Sequence, residues 1–368
     1  MENKNVQKAG ENSQQLQADT IIINQGITEQ RAREICSEMA KQAISDNTAE
    51  AHEIANQRIE QFANQLIPRI QQIEENFQSF SDPSFQVLLR KAQLTAACME
   101  REDDYSILSE LLVHRIKNKK NVKKKASITK AVEIVDQIDD DSLLALTVFL
   151  VMTQYVPTSG DIKQGIKTIA DFYSKFDLEN LPNNVLWIDN LSILGALTWN
   201  NIGKLKKFED YFSENLSGYV CAGIKKDSDD YKRAIEILAP YGIGEGYFTD
   251  NILLEGYVRL PVRNKESIAE LKFNAKINNN ERIIIFNEPI SKDRLECLNK
   301  VYDMYSNDRA LITHAKNKFI ELLNSYESIH KAVEWWNSIN NSISLTSVGR
   351  VIAHTNAKSI DPTLPDLD

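Results

Sequence analysis

The chain has 368 residues, of which 42% are hydrophobic and 26% charged, and a net charge of −9. That length and balance suit a globular protein of two or three domains with a large core. The acidic excess argues against a general nucleic-acid coat and leaves room only for a local basic patch.

Four cysteines, Cys36, Cys98, Cys221 and Cys297, are widely spaced and form no C-x-x-C. They read as reduced, buried thiols of a cytoplasmic protein. The polar N-terminal residues show no secretory signal. The longest apolar run, Ser142–Val156, is about fifteen residues, short of the roughly twenty that span a bilayer, so it reads as a core helix and no membrane partner is expected.

Residues 1–17 are rich in Asn, Gln, Lys and Glu and read as mobile. Ile21, Ile22 and Ile23 then make a short strand, Asn24–Gly26 a turn, and Thr28 the N-cap of a long helix with Glu29 in its first turn. So short a strand needs partners for its backbone groups, either from another copy of the chain or from a second isoleucine triplet, Ile283–Ile285. The first choice is favoured. Ile35 and Met39 lie on the apolar stripe of the following helix and complete a candidate assembly surface with Ile21–Ile23. After a weak point at Ser45–Thr48 the stripe resumes through Ala55, Ile59, Phe62, Leu66, Ile70, Ile73 and Phe77, close to a heptad seam. Pro68 should kink or split this stretch near Asn64–Ile67. The stripe fits equally a pair of helices on the chain's own core and a self-associating coiled-coil stalk.

Ser81-Asp82-Pro83 opens the main body. Helices are expected near 83–101, 104–118, 127–138, 141–155, 161–175, 184–200, 204–215 and 228–239, with no shared repeat motif. Composition shifts at Tyr241. The G-I-G-E-G of 242–246 reads as a connector, and 271–277 and 281–286 as two strands joined by an Asn-rich turn. Helices resume near 291–305 and 308–340. The domains expected are an assembly segment at 1–80, a helical body at 81–240, an α+β part at 241–358 and a flexible tail at 359–368.

The sharpest charge feature is the segment 115–125, with seven cations in eleven residues. His114, Arg115, Lys117, Lys119, Lys120, Lys123, Lys124 and Lys125 are its candidate phosphate-binding residues, although a lysine-rich loop also serves solubility alone. No aromatic residue interleaves, so base stacking is not suggested. The five histidines lack any metal-ligand spacing, the acidic pairs stand where helices start, and neither G-x-S-x-G nor a cysteine–histidine pattern occurs. No catalytic set, metal site or cofactor is implied.

The opening G-E-N-S-x-x-L-Q-A-D-T-I-I-I-N-Q-G-I-T-x-x-x-A-R-E-I resembles that of the uncharacterised bacterial LPO/Vpar-type family. The stretches 103–115 and 131–150 and the closing L-T-S-V-G-R-V-I-A of 345–353 are also similar to it. The resemblance implies no catalytic or binding residues. Openings of this kind also precede effector domains in bacterial phage-defence proteins, which extends the expected role to antiviral defence by association.

The fold expected is therefore mainly α: an N-terminal short strand plus long amphipathic helix, a multi-helix body and a small α+β C-terminal part. The leading function is that of a non-enzymatic, homo-oligomeric cytoplasmic scaffold, sensor or adaptor of two to four chains. The alternatives are a module binding nucleic acid or a nucleotide through 115–125, with another protein as a further possible partner, and an enzyme of unrecognised type.

Overall fold

The computed structural model describes residues 27–43, 49–200, 202–279 and 282–367. The expected leader, the Ile21–Ile23 strand, its turn and the weak point at Ser45–Thr48 lie outside them. The chain is mainly α, with fourteen α-helices and seven short strands among the described residues. It divides into two compact units, Met1–Ala97 and Cys98–Asp368.

In the first unit, α1 (Glu29–Ala43) and α2 (Ala49–Ile73) pack together, and α3 (Pro83–Cys98) follows. Thr28 caps α1, its Oγ1 accepting from the Arg31 amide at 3.2 Å. Ala32, Cys36 and Ala40 of α1 are buried, as are Ala55, Ile59, Phe62, Leu66 and Ile70 of α2. The near-heptad stripe of α2 is thus covered within a single chain from Ala55 to Ile70, whereas Ile73 at its end is exposed. Of the two outcomes expected at Pro68, a kink or a split, the split does not occur: α2 runs on through it. Burial of the flanking Leu66, Ile67 and Ile70 offsets a proline defect of about 3 kcal/mol. The side chain of Gln93 on α3 donates to Cys36 O of α1 at 2.9 Å.

The second unit is built around α6. Its helices begin with α4 (Glu102–Lys117), α5 (Val122–Ile134), α6 (Asp140–Gln154), α7 (Ile162–Tyr173) and α8 (Leu186–Ile193). Asp139 caps α6, accepting from the Ser142 amide at 2.8 Å. Residues 145–152 of α6 are buried on every side, which makes it the central helix. The helix expected over 184–200 ends early. Gly195 takes a positive φ of 75°, and β1 (Leu197–Asn200) begins. The partner of β1 is nearly 150 residues away, so local periodicity could not reveal it.

Next come α9 (Phe208–Asn215), β2 (Ile224–Lys225), α10 (Asp229–Leu238), β3 (Thr249–Asp250) and β4 (Tyr257–Arg259). They form a small antiparallel sheet in the order β2-β4-β3. The two strands expected near 271–286 are β5 (Lys272–Asn279) and β6 (Arg282–Pro289), an antiparallel ribbon in which Ile283, Ile284 and Ile285 face Asn278, Ile277 and Lys276 in register. Helix α11 (Lys292–Tyr302) closes an apolar cluster with α10 and β4 that includes Leu238, Val258, Leu260, Leu298 and Val301. Arg259 is almost fully buried here. Its guanidinium donates to the carbonyls of Gly218 (3.1 Å), Leu260 (2.8 Å), Val262 (3.0 Å) and Gly160. Gly160 and Gly218 permit this convergence, because a Cβ at either would run into backbone of residues 261–263.

The stretch expected as one helix, 308–340, is two: α12 (Arg309–Asn324) and α13 (Glu327–Ser338), separated at Ser325–Tyr326. Then β7 (Ser342–Leu345) pairs antiparallel with β1, Leu197 opposite Leu345 and Asn200 opposite Ser342. Helix α14 (Ser347–Ile360) follows, capped by Thr346, whose Oγ1 accepts from the Gly349 amide at 3.1 Å. The last helices return to the body: α13 packs on α7, and α14 on α4, α5 and α6.

Candidate anion-binding site

The segment 115–125 is not the exposed loop its composition suggests. Arg115 is buried in α4, residues 118–121 alone form the turn, and Lys123, Lys124 and Lys125 already belong to the first turns of α5. Asn121 sets this start, its side chain accepting from the Lys124 amide at 3.1 Å. Three lysines therefore stand at a helix N-terminus, where the dipole disfavours cations and favours an anion beside them.

Lys123 and Lys124 line a cavity of about 510 Å³ between α5, α6 and α14. Steps of three and four along α14 bring Ser347, Arg350, Val351 and His354 to the same cavity, and Leu150 and Gln154 of α6 form another wall. Ser127 Oγ donates to Ser347 Oγ at 2.8 Å, tying α5 to α14. Asn356 of α14 donates to Thr147 Oγ1 of α6 at 2.9 Å. Lys123 and Arg350 are exposed and form no ion pair among the described residues. Lys119 and Lys120 are exposed in the turn, and neither they nor Lys125 lines the cavity.

Pro365, Asp366 and Leu367, in the stretch expected as a flexible tail, form the remaining wall. Lys175 pairs with the buried Asp361 at 2.7 Å, and Lys117 with Asp366 at 2.8 Å; Lys358 also binds Asp366. Hydrogen bonds from Lys117 and Lys358 hold the Asp366 carboxyl far below the usual carboxylate range. Lys124 reaches Leu367 O at 3.5 Å. The His354 Nε2 donates to Pro365 O at 2.9 Å, which fixes the tautomer of the neutral ring. Its Nδ1 is then a buried acceptor without a hydrogen-bond partner among the described residues.

His114, the expected neighbour of the basic segment, is buried beside His354 and does not line the cavity. Burial, then the proximity of His354 and Lys117, pushes its pKa down to about 4. The pKa of His354 is lowered too, by burial against the opposing pull of the Pro365 bond. Both rings are neutral at pH 7.

A second cavity, of about 210 Å³, adjoins the first, since Gln154 and Arg350 line both. Its walls include Leu205, Tyr211, Ile343 and Trp336. Trp336 is stacked between Phe149 (5.1 Å, 12°) and Tyr211 (5.4 Å, 24°).

Sequence reasoning found the α5 lysines but missed Arg350, Ser347, His354 and the aromatic wall. The one available signal was the 3–4 spacing of Ser347, Arg350 and His354 on a single helix face.

The candidate assembly residues fall elsewhere. Ile35 and Met39 are half-buried on α1, and Ile21, Ile22 and Ile23 lie outside the described residues. Cys36, Cys221 and Cys297 are buried free thiols, whereas Cys98 is free and exposed, at the end of α3. Burial raises Cys36 to about 12 and Cys221 to about 11. Among the described residues no helix is long and apolar enough to cross a membrane.

No curated protein matches the chain, and no solved structure does. A family model described only as “-like” matches residues 26–365. With nearly its whole length matched, from the residues before α1 through Pro365, the chain belongs to that uncharacterised family.

Proposed function

We propose that this protein is a non-catalytic sensor or adaptor that binds a phosphate-bearing small molecule in the cavity between α5, α6 and α14. The observation that carries this reading is the meeting of Lys123, Lys124 and Arg350, two of them without an ion pair among the described residues, at one cavity. Cations at the N-terminus of α5 cost stability unless an anion joins them. A walled cavity of this size suits a small molecule better than a nucleic-acid backbone, which calls for an open basic face. The test is calorimetric titration with inorganic tripolyphosphate at low salt. Wild-type protein is expected to bind it, with affinity that falls as salt rises. The combined Lys123→Ala, Lys124→Ala and Arg350→Ala variant should fold normally, because Lys123 and Arg350 are exposed and Lys124 gives up only a long contact to Leu367 O, and it should bind at least tenfold more weakly. No binding by the wild type at low salt would remove the reading.

A second element of the proposal is assembly into a homo-oligomer of two to four chains through residues 21–39. It is favoured by Ile35 and Met39, which stay half-exposed beside the buried Ala32, Cys36 and Ala40.

A further inference from the structure

We infer that the ligand of this site is a mononucleotide, with its phosphates at Lys123, Lys124 and Arg350 and its base in the adjoining aromatic cavity. The inference rests on the anion-binding reading above and adds the part of the ligand that is not an anion.

The chemistries change in order along the two neighbouring cavities. The first is cationic, and a phosphate chain is what its two lysines and arginine attract most strongly. At the junction stand Gln154, which offers both a donor and an acceptor, and Arg350. The Gln154 amide suits a sugar hydroxyl, which can both donate and accept, and a sugar stands between phosphate and base. Beyond the junction the walls turn apolar and aromatic, with Leu205, Ile343 and a half-buried Tyr211 stacked on Trp336. A cavity of about 210 Å³ has room for one base. Stacking on an aromatic ring is tolerant of base identity, so the class is specified but not the base. Phosphate, sugar and base thus find suitable groups in their covalent order.

The aromatic wall is independent of the cationic one. Tyr211 comes from α9 and Trp336 from α13, whereas the lysines come from α5.

The experiment titrates the full chain with ATP, GTP, CTP and UTP, and with inorganic tripolyphosphate as the charge-matched control, all in EDTA. At least one nucleotide is expected to bind tenfold or more tightly than tripolyphosphate. Leu205→Trp, which fills the second cavity, should abolish that advantage and leave tripolyphosphate binding unchanged. Ser344→Trp, from the facing strand β7, is the second filling variant should Leu205→Trp fail to fold. If tripolyphosphate binds and no nucleotide exceeds it tenfold, the inference is overturned while the anion-binding reading stands. If neither binds, both fall. A single-stranded oligonucleotide binding more tightly than every mononucleotide would also overturn the inference, because a closed site for one base cannot prefer a polymer.

Discussion

The imidazoles of His114 and His354 lie 5.8 Å apart, centroid to centroid, with their planes tilted by 39°. Neither can gain a proton cheaply. Both are buried, each charge would oppose the other, and Lys117 and Lys358 stand nearby. Glu110 Oε1 is 3.5 Å from His114 Nε2, too far for a good hydrogen bond, and that nitrogen has no partner among the described residues. The sign of the pH effect follows. The folded pKa of His114, about 4, is below the unfolded value of about 6.5, so the unfolded state binds the extra proton in between. Stability is therefore lost as pH falls from about 6.5 toward about 4. Between pH 7 and pH 5 the loss from His114 should be about 2 kcal/mol. Asp366 adds nothing in this window, since Lys117 and Lys358 keep it ionised to far lower pH. Urea unfolding of His114→Asn should show a flatter pH dependence; an unchanged loss between pH 7 and pH 5 would contradict the assignment.

The central position of α6 makes its side chains the costliest to shorten. Leu146 is wholly buried and Phe149 almost so. Truncation of either to alanine should cost roughly 2–5 kcal/mol, the sum of lost burial and a residual cavity. Phe149→Ala also removes one side of the Trp336 stack, so it should additionally change tryptophan fluorescence. Chemical denaturation curves that barely move for both variants would displace α6 from the core.

Gly349, in the first turn of α14, lies against Ala196 so closely that a Cβ would collide with its carbonyl oxygen. Gly349→Ala should destabilise by about 1–3 kcal/mol, since backbone must move to admit the methyl group. Gly244→Ala is the control, with nothing near the added carbon and an ordinary φ, and it should be close to neutral. Equal midpoints for the two would mean that α14 and the end of α8 do not meet as described.

The assembly proposal has a direct readout in native mass. Full-length protein at micromolar concentration is expected at two to four copies. Deletion of residues 1–27 should lower that number with helix content kept, and Ile35→Asp with Met39→Asp should do the same by placing charge on the seam. A full-length monomer would end the proposal.

The helical body was legible because burial patterns repeat every three to four residues, and a helix such as α6 carries its evidence within its own span. Caps were equally local, as Thr28 and Asp139 illustrate. What escaped was non-local. Trp199 and Ile343 pair across 143 intervening positions, so the local pattern assigns β1 to the end of a helix. The site suffered the same blindness. Its lysines lie in one run and could be read directly, but Arg350 and His354 reach them only through the packing of α14 on α5. Trp336 looks like core because it is core, and its half-buried neighbour Tyr211 sits 125 residues earlier.

One consequence of the Arg259 cluster concerns the chain as a polymer. The guanidinium holds Gly160, 99 residues before it, and Gly218, 41 residues before it, so a single side chain closes two long loops at once. The entropy of closing a loop grows only with the logarithm of its length, so the 99-residue closure costs only about 0.8 kcal/mol more than the 41-residue one. Release is just as collective. A single opening event at Arg259 frees segments around residues 160, 218 and 262 together, and their amide hydrogens should exchange with solvent at one shared rate.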